Sequence, residues 1–280
     1  MQDRYAEIIS RIIEIARNDD GVKAVVAIGS TTRENTKADE YSDLDLIIAA
    51  EDTYGWLYGS IPEQIADVKI SFVEPTLGGG TERRVLFEGA LDVDMILFTP
   101  AQFETAIKNG TAGWVCSRGY SVLYDDMNFG GMLSQYVSRE ITHTDMSEQE
   151  YINMVNDFCF HVVWASKKLL RGELWSAKMC IDGYLKNYLL KMIELYSADN
   201  SGVDVWHDGR FLDSWADGSI KASLKKCFAH YERDDMVTAL RETMDLFVRL
   251  AGAEASVRKY RFPKTAVDYA ENLFVVYWGE

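Results

Sequence analysis

The sequence has no run of about 18 or more apolar residues, so nothing in it predicts a membrane-spanning helix. Its opening stretch, MQDRYAEIISRIIEIARNDD, sets charges among the apolar groups from the start and lacks the unbroken apolar stretch of a secretory signal. Cysteine is sparse: Cys116, Cys159, Cys180 and Cys227 stand far apart, with no Cys-x-x-Cys pair. That pattern argues against a zinc site or a disulfide framework and fits a reducing compartment. The expected location is the cytoplasm, with no membrane association. His143, His161, His207 and His230 show no metal-ligand spacing. No phosphate-loop, dinucleotide-binding or serine-elbow motif occurs. Basic residues are outnumbered, 29 Lys and Arg against 44 Asp and Glu, giving a formal net charge of −15. Such a surface repels phosphate backbones, which argues against a nucleic-acid substrate. It favours a cationic small molecule, and it also serves solubility.

The apolar pattern divides the chain. Residues 4–17 carry Ala6, Ile9, Ile12, Ile13 and Ala16 at helical spacing. Short apolar runs at 22–28, 44–50 and 68–73 read as strands, as do 84–88 and 91–98 with Gly89 between them. Gly78 to Gly80 reads as a hairpin turn, and Pro100 sits in the first turn of a short helix. Beyond about residue 126 helical periods dominate, near 147–171, 175–197, 219–230 and 234–252. Strands followed by helices imply an α+β chain of two domains, 1–140 and 141–280.

The chemistry concentrates in the first half. A strand delivers the chain to Gly29-Ser30, and twelve residues later comes Asp43-Leu44-Asp45 at the head of another strand. Glycine lets the backbone approach an anion closely, and Ser30 adds a hydroxyl and an amide donor. Strand residues two apart share a face, so Asp43 and Asp45 would repel each other unless cations lay between them. Magnesium takes such ligands together with substrate phosphates. A later strand offers Asp92 and Asp94, again on one face, and the pattern alone does not separate them. Three converging carboxylates beside a Gly-Ser turn suit two-metal phosphoryl transfer.

These residues resemble the signature of the polymerase β nucleotidyltransferase superfamily. More narrowly, the chain is similar to the aminoglycoside 6-adenylyltransferases, which modify streptomycin. Leu86-Phe87-Glu88-Gly89 followed by Val93-Asp94-Met95 looks like one family segment, and the run from Val163 through Trp164, Lys167, Arg171 and Glu173 to Lys178 looks like another. Trp206, Gly209-Arg210 and the stretch from Ala239 to Phe247 follow the family's order. The sequence departs from the family at Thr31, where Arg is common, and at Lys168-Leu169-Leu170, where the family has Gly-Leu-Trp.

The resemblance implies a polymerase β-type catalytic domain with a mixed sheet, a C-terminal helical bundle for substrate binding, and an active site in the cleft between them. It selects Asp94 over Asp92 as the third carboxylate. Asp43, Asp45 and Asp94 would then hold two Mg²⁺ ions, and Gly29, Ser30 and Lys167 would bind ATP. The acceptor would be a small, cationic, hydroxylated molecule, an aminoglycoside such as streptomycin. A lincosamide, another hydroxylated metabolite, a protein hydroxyl, and a nucleotide-binding relative without activity are the alternatives. A helical wheel through residues 158–171 puts Phe158, Cys159, Val162, Ser166 and Leu169 on one side. Phe160, Trp164, Lys167 and Arg171 fall on the other, either as a solvated face or as a wall of the cleft. Glu173 and Asp182 are candidate partners for the acceptor's cationic groups.

Overall fold

The computed structural model describes residues 2–33, 38–76, 80–138, 146–205 and 208–279. The chain forms two compact units, Met1–Thr142 and His143–Glu280. In chain order, the first holds α1 (Gln2–Asn18), β1 (Val22–Ile28), β2 (Leu44–Ala50), α2 (Thr53–Tyr58), α3 (Ile61–Ile65), β3 (Val68–Pro75) and β4 (Thr81–Phe87). It continues with β5 (Leu91–Phe98), α4 (Pro100–Lys108), α5 (Thr111–Cys116), β6 (Ser121–Asp125) and α6 (Phe129–Tyr136). The second unit is helical: α7 (Glu148–Leu170), α8 (Leu174–Met179), α9 (Leu185–Ser201), α10 (Leu212–Trp215), α11 (Gly218–Leu224), α12 (Arg233–Arg258) and α13 (Lys264–Trp278). This is an α+β chain with a mixed sheet and a helical C-terminal part.

The sheet order is β3-β4-β5-β2-β1-β6. Only β2 and β5 pair in parallel among these neighbours. β1 and β2 are buried on both faces, which is why each is a nearly continuous apolar run rather than an alternating one. On one face, Tyr5, Ile8 and Ile12 of α1 and Trp56 of α2 pack over Val25, Leu46 and Met95. On the other, Phe103 of α4, Cys116 of α5 and Phe129 of α6 pack over Val26, Ile47 and Ala49. Two helical layers thus hold the ends of β1, β2 and β5 in place. Thr99 caps α4 in a capping box with Gln102, and Pro100 fills its first turn.

The second unit is built on α7, α9, α12 and α13, with Phe158 and Phe247 stacked at 3.7 Å in its core. The two faces of α7 separate as its periodicity predicts. Phe158, Cys159, Val162, Ser166 and Leu169 are buried, while Phe160, Lys167 and Arg171 are exposed and Trp164 is half-buried.

Several sequence expectations need correction. Residues 175–197 are not one regular helix, because a π-helical turn, Cys180–Tyr184, joins α8 to α9. There Lys186 donates to the Ile181 carbonyl at 3.0 Å and to Thr243 Oγ1 at 2.8 Å. The helix expected over 219–230 stops at Leu224. The β4 strand starts at Thr81 rather than Arg84, and β6 carries no strong sequence signal. Of the expected Gly78–Gly80 turn, Gly78 and Gly79 lie outside the described residues, as do Trp206, His143, His207 and the expected boundary at residue 140.

Candidate active site

The site grows from the end of β1. At Ile28 the chain leaves the sheet and enters a short 3₁₀ turn, Gly29–Thr31. Gly29 has φ +72, a left-handed conformation that glycine adopts without strain. A Cβ there would lie 2.0 Å from Asp45 Oδ2, so the absent side chain is what lets the carboxylate sit against the turn. Thr31 Oγ1 donates to the Ile28 carbonyl at 3.1 Å, and Thr32 Oγ1 donates to the Gly29 and Gly119 carbonyls at 3.1 and 3.0 Å. The bond to Gly119 ties the turn to the segment that leads into β6. The Ser30 Oγ is buried and makes no hydrogen bond.

Asp43 stands one residue before β2, not within it as the spacing alone suggested, and Asp45 is the second residue of the strand. Tyr5 on α1 donates its hydroxyl to the Ser42 carbonyl at 3.0 Å, which fixes the approach to Asp43. The parallel pairing of β2 with β5 sets Asp45 directly beside Asp94. Asp43, Asp45 and Asp94 each offer an oxygen within 4.8 Å of the others. Asp94 is buried whereas Asp92, two residues earlier, is exposed, so burial and register separate the pair that alternation left equal.

The electrostatics of Asp94 are set first by its burial. Burial pushes the Asp94 carboxyl up to about 7; Arg84 pulls it down, and Asp45 adds to the rise. Its Oδ2 is held by Arg84 Nη2 at 3.0 Å. Its Oδ1 is shielded from solvent and accepts no hydrogen bond. A buried acceptor without a donor is costly, and a hard divalent ion with oxygen ligands would satisfy it.

Arg84 and its partners Glu74 and Glu82 were not singled out by the sequence reading. A signal was present. Glu82 and Arg84 are charged residues two apart in a strand whose next residues, Val85 to Phe87, are apolar. Lys167 lies on the exposed face of α7, in the second unit. Glu173 and Asp182 already have cations of their own: Glu173 pairs with Lys168 and Arg171, and Asp182 with Lys178. His161 and His230 pair with Asp157 and Asp235.

A mixed sheet gathers three acids behind a glycine turn, a donor set that suits a divalent cation, and the family match makes this chain a nucleotidyltransferase. The match extends well beyond the site. Residues 2–273 fit the family model described as streptomycin adenylyltransferase, and the chain belongs to that family. An aminoglycoside 6-adenylyltransferase of Staphylococcus aureus is 24% identical over 213 residues, 71% of each chain. Among solved structures, an aminoglycoside 6-adenyltransferase from Bacillus subtilis aligns with 100% of this chain and 98% of its own, at 17% identity and a TM-score of 0.46. A nucleotidyltransferase-like protein from Exiguobacterium sibiricum aligns with 89% of this chain and 78% of its own, at 15% identity and a TM-score of 0.38. Adenylyltransferases of this family use ATP and a divalent metal, and the three carboxylates fit such an ion.

Proposed function

We propose that the protein transfers the adenylyl group of ATP to a hydroxyl of an aminoglycoside, with streptomycin as the leading acceptor, and so inactivates the antibiotic. The observation that carries this reading is the grouping of Asp43, Asp45 and Asp94 beside Gly29-Ser30 in a chain of this family. In it, residues 1–140 are the catalytic domain and 141–280 the substrate-binding domain.

Asp43 and Asp45 would hold two Mg²⁺ ions, with Asp94 as a third ligand to one of them. When bound, Mg²⁺ offsets the negative charge that gathers on the transferring phosphoryl group. Ser30, whose Oγ has no protein partner, is assigned with its neighbouring amides to the terminal phosphates of ATP. Gly29 keeps the backbone close enough for that contact. Lys167 is the further cation assigned to ATP. The acceptor oxygen attacks the α-phosphorus in line, the bond to the bridging oxygen breaks, and pyrophosphate leaves with the bonding electrons. Asp94 is the group assigned to take the hydroxyl proton. An acidic chain also suits a cationic acceptor.

The test is pyrophosphate release from ATP and Mg²⁺ against a panel of aminoglycosides and lincosamides. Release only in the presence of streptomycin or a related aminoglycoside is expected. Release with lincosamides alone would replace the acceptor, and ATP binding without release in any mixture would mark a nucleotide-binding relative without activity.

A further inference from the structure

Arg84 stands opposite Asp94 where β4 pairs with β5, and Glu82 stands opposite Glu74 where β3 pairs with β4. Facing residues of an antiparallel pair share a sheet face, so all four side chains lie on the face that carries the triad. The guanidinium is held three ways. Its Nε lies 2.8 Å from Glu74 Oε1 and 3.1 Å from Glu82 Oε1, and its Nη2 lies 3.0 Å from Asp94 Oδ2. Glu82 is only 7% exposed.

The two oxygens of Asp94 are therefore unlike. Oδ2 has a charged donor, and Oδ1 has no donor and no solvent. We propose that Arg84 is a positioning residue for the metal site. It anchors Oδ2 so that the carboxylate cannot turn and Oδ1 faces the ion, while Glu74 and Glu82 fix the guanidinium. This rests on the metal-site reading above. The opposite role is a stand-in cation that the arriving metal expels. Glu82 argues against it, because departure of Arg84 would strand a buried carboxylate that a metal at Asp43, Asp45 and Asp94 does not neutralise.

The experiment is Mn²⁺ binding to the full-length protein without nucleotide, followed by electron paramagnetic resonance. Arg84→Gln is expected to weaken binding by about tenfold or more, the usual effect of removing a group that orients a metal ligand. Arg84→Lys should recover part of the loss, since an ammonium supplies the charge without the planar fork. Glu74→Gln, at the solvent side of the guanidinium, should give a smaller loss in the same direction. If Arg84→Gln does not fold, Glu82→Gln with Arg84→Gln removes the stranded charge and carries the same expectation. Binding within about twofold of the unaltered protein, or tighter as expulsion of a competitor would give, overturns the positioning role and leaves the metal site standing. No Mn²⁺ binding by the unaltered protein overturns both.

Discussion

Three carboxylates with oxygens within 4.8 Å of one another repel in the absence of a cation, so each residue of the triad carries a testable cost. Changing Asp45→Asn removes one charge and one ligand. Transfer should fall by more than about 100-fold, since even groups behind the ligands cost about 10–100-fold. The metal-free variant should melt no lower than the parent by circular dichroism, and a lower melting point would mean that Asp45 has a folding role. Asp94 gives a pH prediction. Its folded-state carboxyl is raised to about 7, above the ordinary carboxylate value near 4. The folded protein thus holds this proton more tightly than the unfolded chain, and the resulting stability is full below about pH 4 and is lost as pH rises toward 7. In chelator, Tm should fall between pH 5 and 8, less steeply in Asp94→Asn, and Mg²⁺ at pH 8 should restore the parent more than the variant. Glu254, also raised to about 7 by burial, adds a slope of the same sign, so the comparison between the two proteins is the measurement. The sequence exposed Gly29, Ser30, Asp43 and Asp45 because a glycine turn and an alternating acid pair are local patterns. It could not separate Asp92 from Asp94, since burial is set by the strands and helices packed around them. The Glu82-Arg84 alternation was visible, but what Arg84 pairs with was not, since Glu74 and Asp94 sit on neighbouring strands.

Elements whose environment is uniform were readable. β1 and β2 are covered on both faces and read as apolar runs with the observed limits, 22–28 and 44–50. α1 and α7 are amphipathic and long enough for the period to show. Most of the elements that were missed are short or irregular, although α13, a regular helix of 15 residues, was missed as well. β6 has five residues with only half-buried or exposed side chains, so no apolar run marks it. The π-helical turn at Cys180–Tyr184 keeps a helical pattern on either side, and the extra residue is visible only in the backbone. At this scale Phe158 is the strongest test. It is fully buried and stacked on Phe247, so it ties α7 to α12. Phe158→Ala should cost about 3–5 kcal/mol by urea unfolding, as a large-to-small core change does. A cost below about 1 kcal/mol would mean that the stack does not hold this core together.

The whole chain carries a net charge of −15, enough to steer a cationic acceptor from a distance. With streptomycin, kcat/KM should fall as salt rises through the range where the screening length drops from about 10 Å to about 3 Å, and a neutral acceptor should show a flatter slope. Equal slopes would confine the acidity to solubility. Charge is the one whole-molecule property the sequence states outright. It does not say where the acids point, and Glu173 and Asp182 illustrate the gap, since both are paired with nearby lysines. If the function proposed above holds, the carboxylates serve transfer of an adenylyl group rather than a terminal phosphoryl group. The most direct measurement is the fate of label from ATP marked at the α- or the γ-phosphate, incubated with Mg²⁺, streptomycin and the protein. Adenylyl transfer puts α-label on the antibiotic and γ-label in pyrophosphate, with neither product from Asp45→Asn. Label from the γ-phosphate on the antibiotic would contradict it.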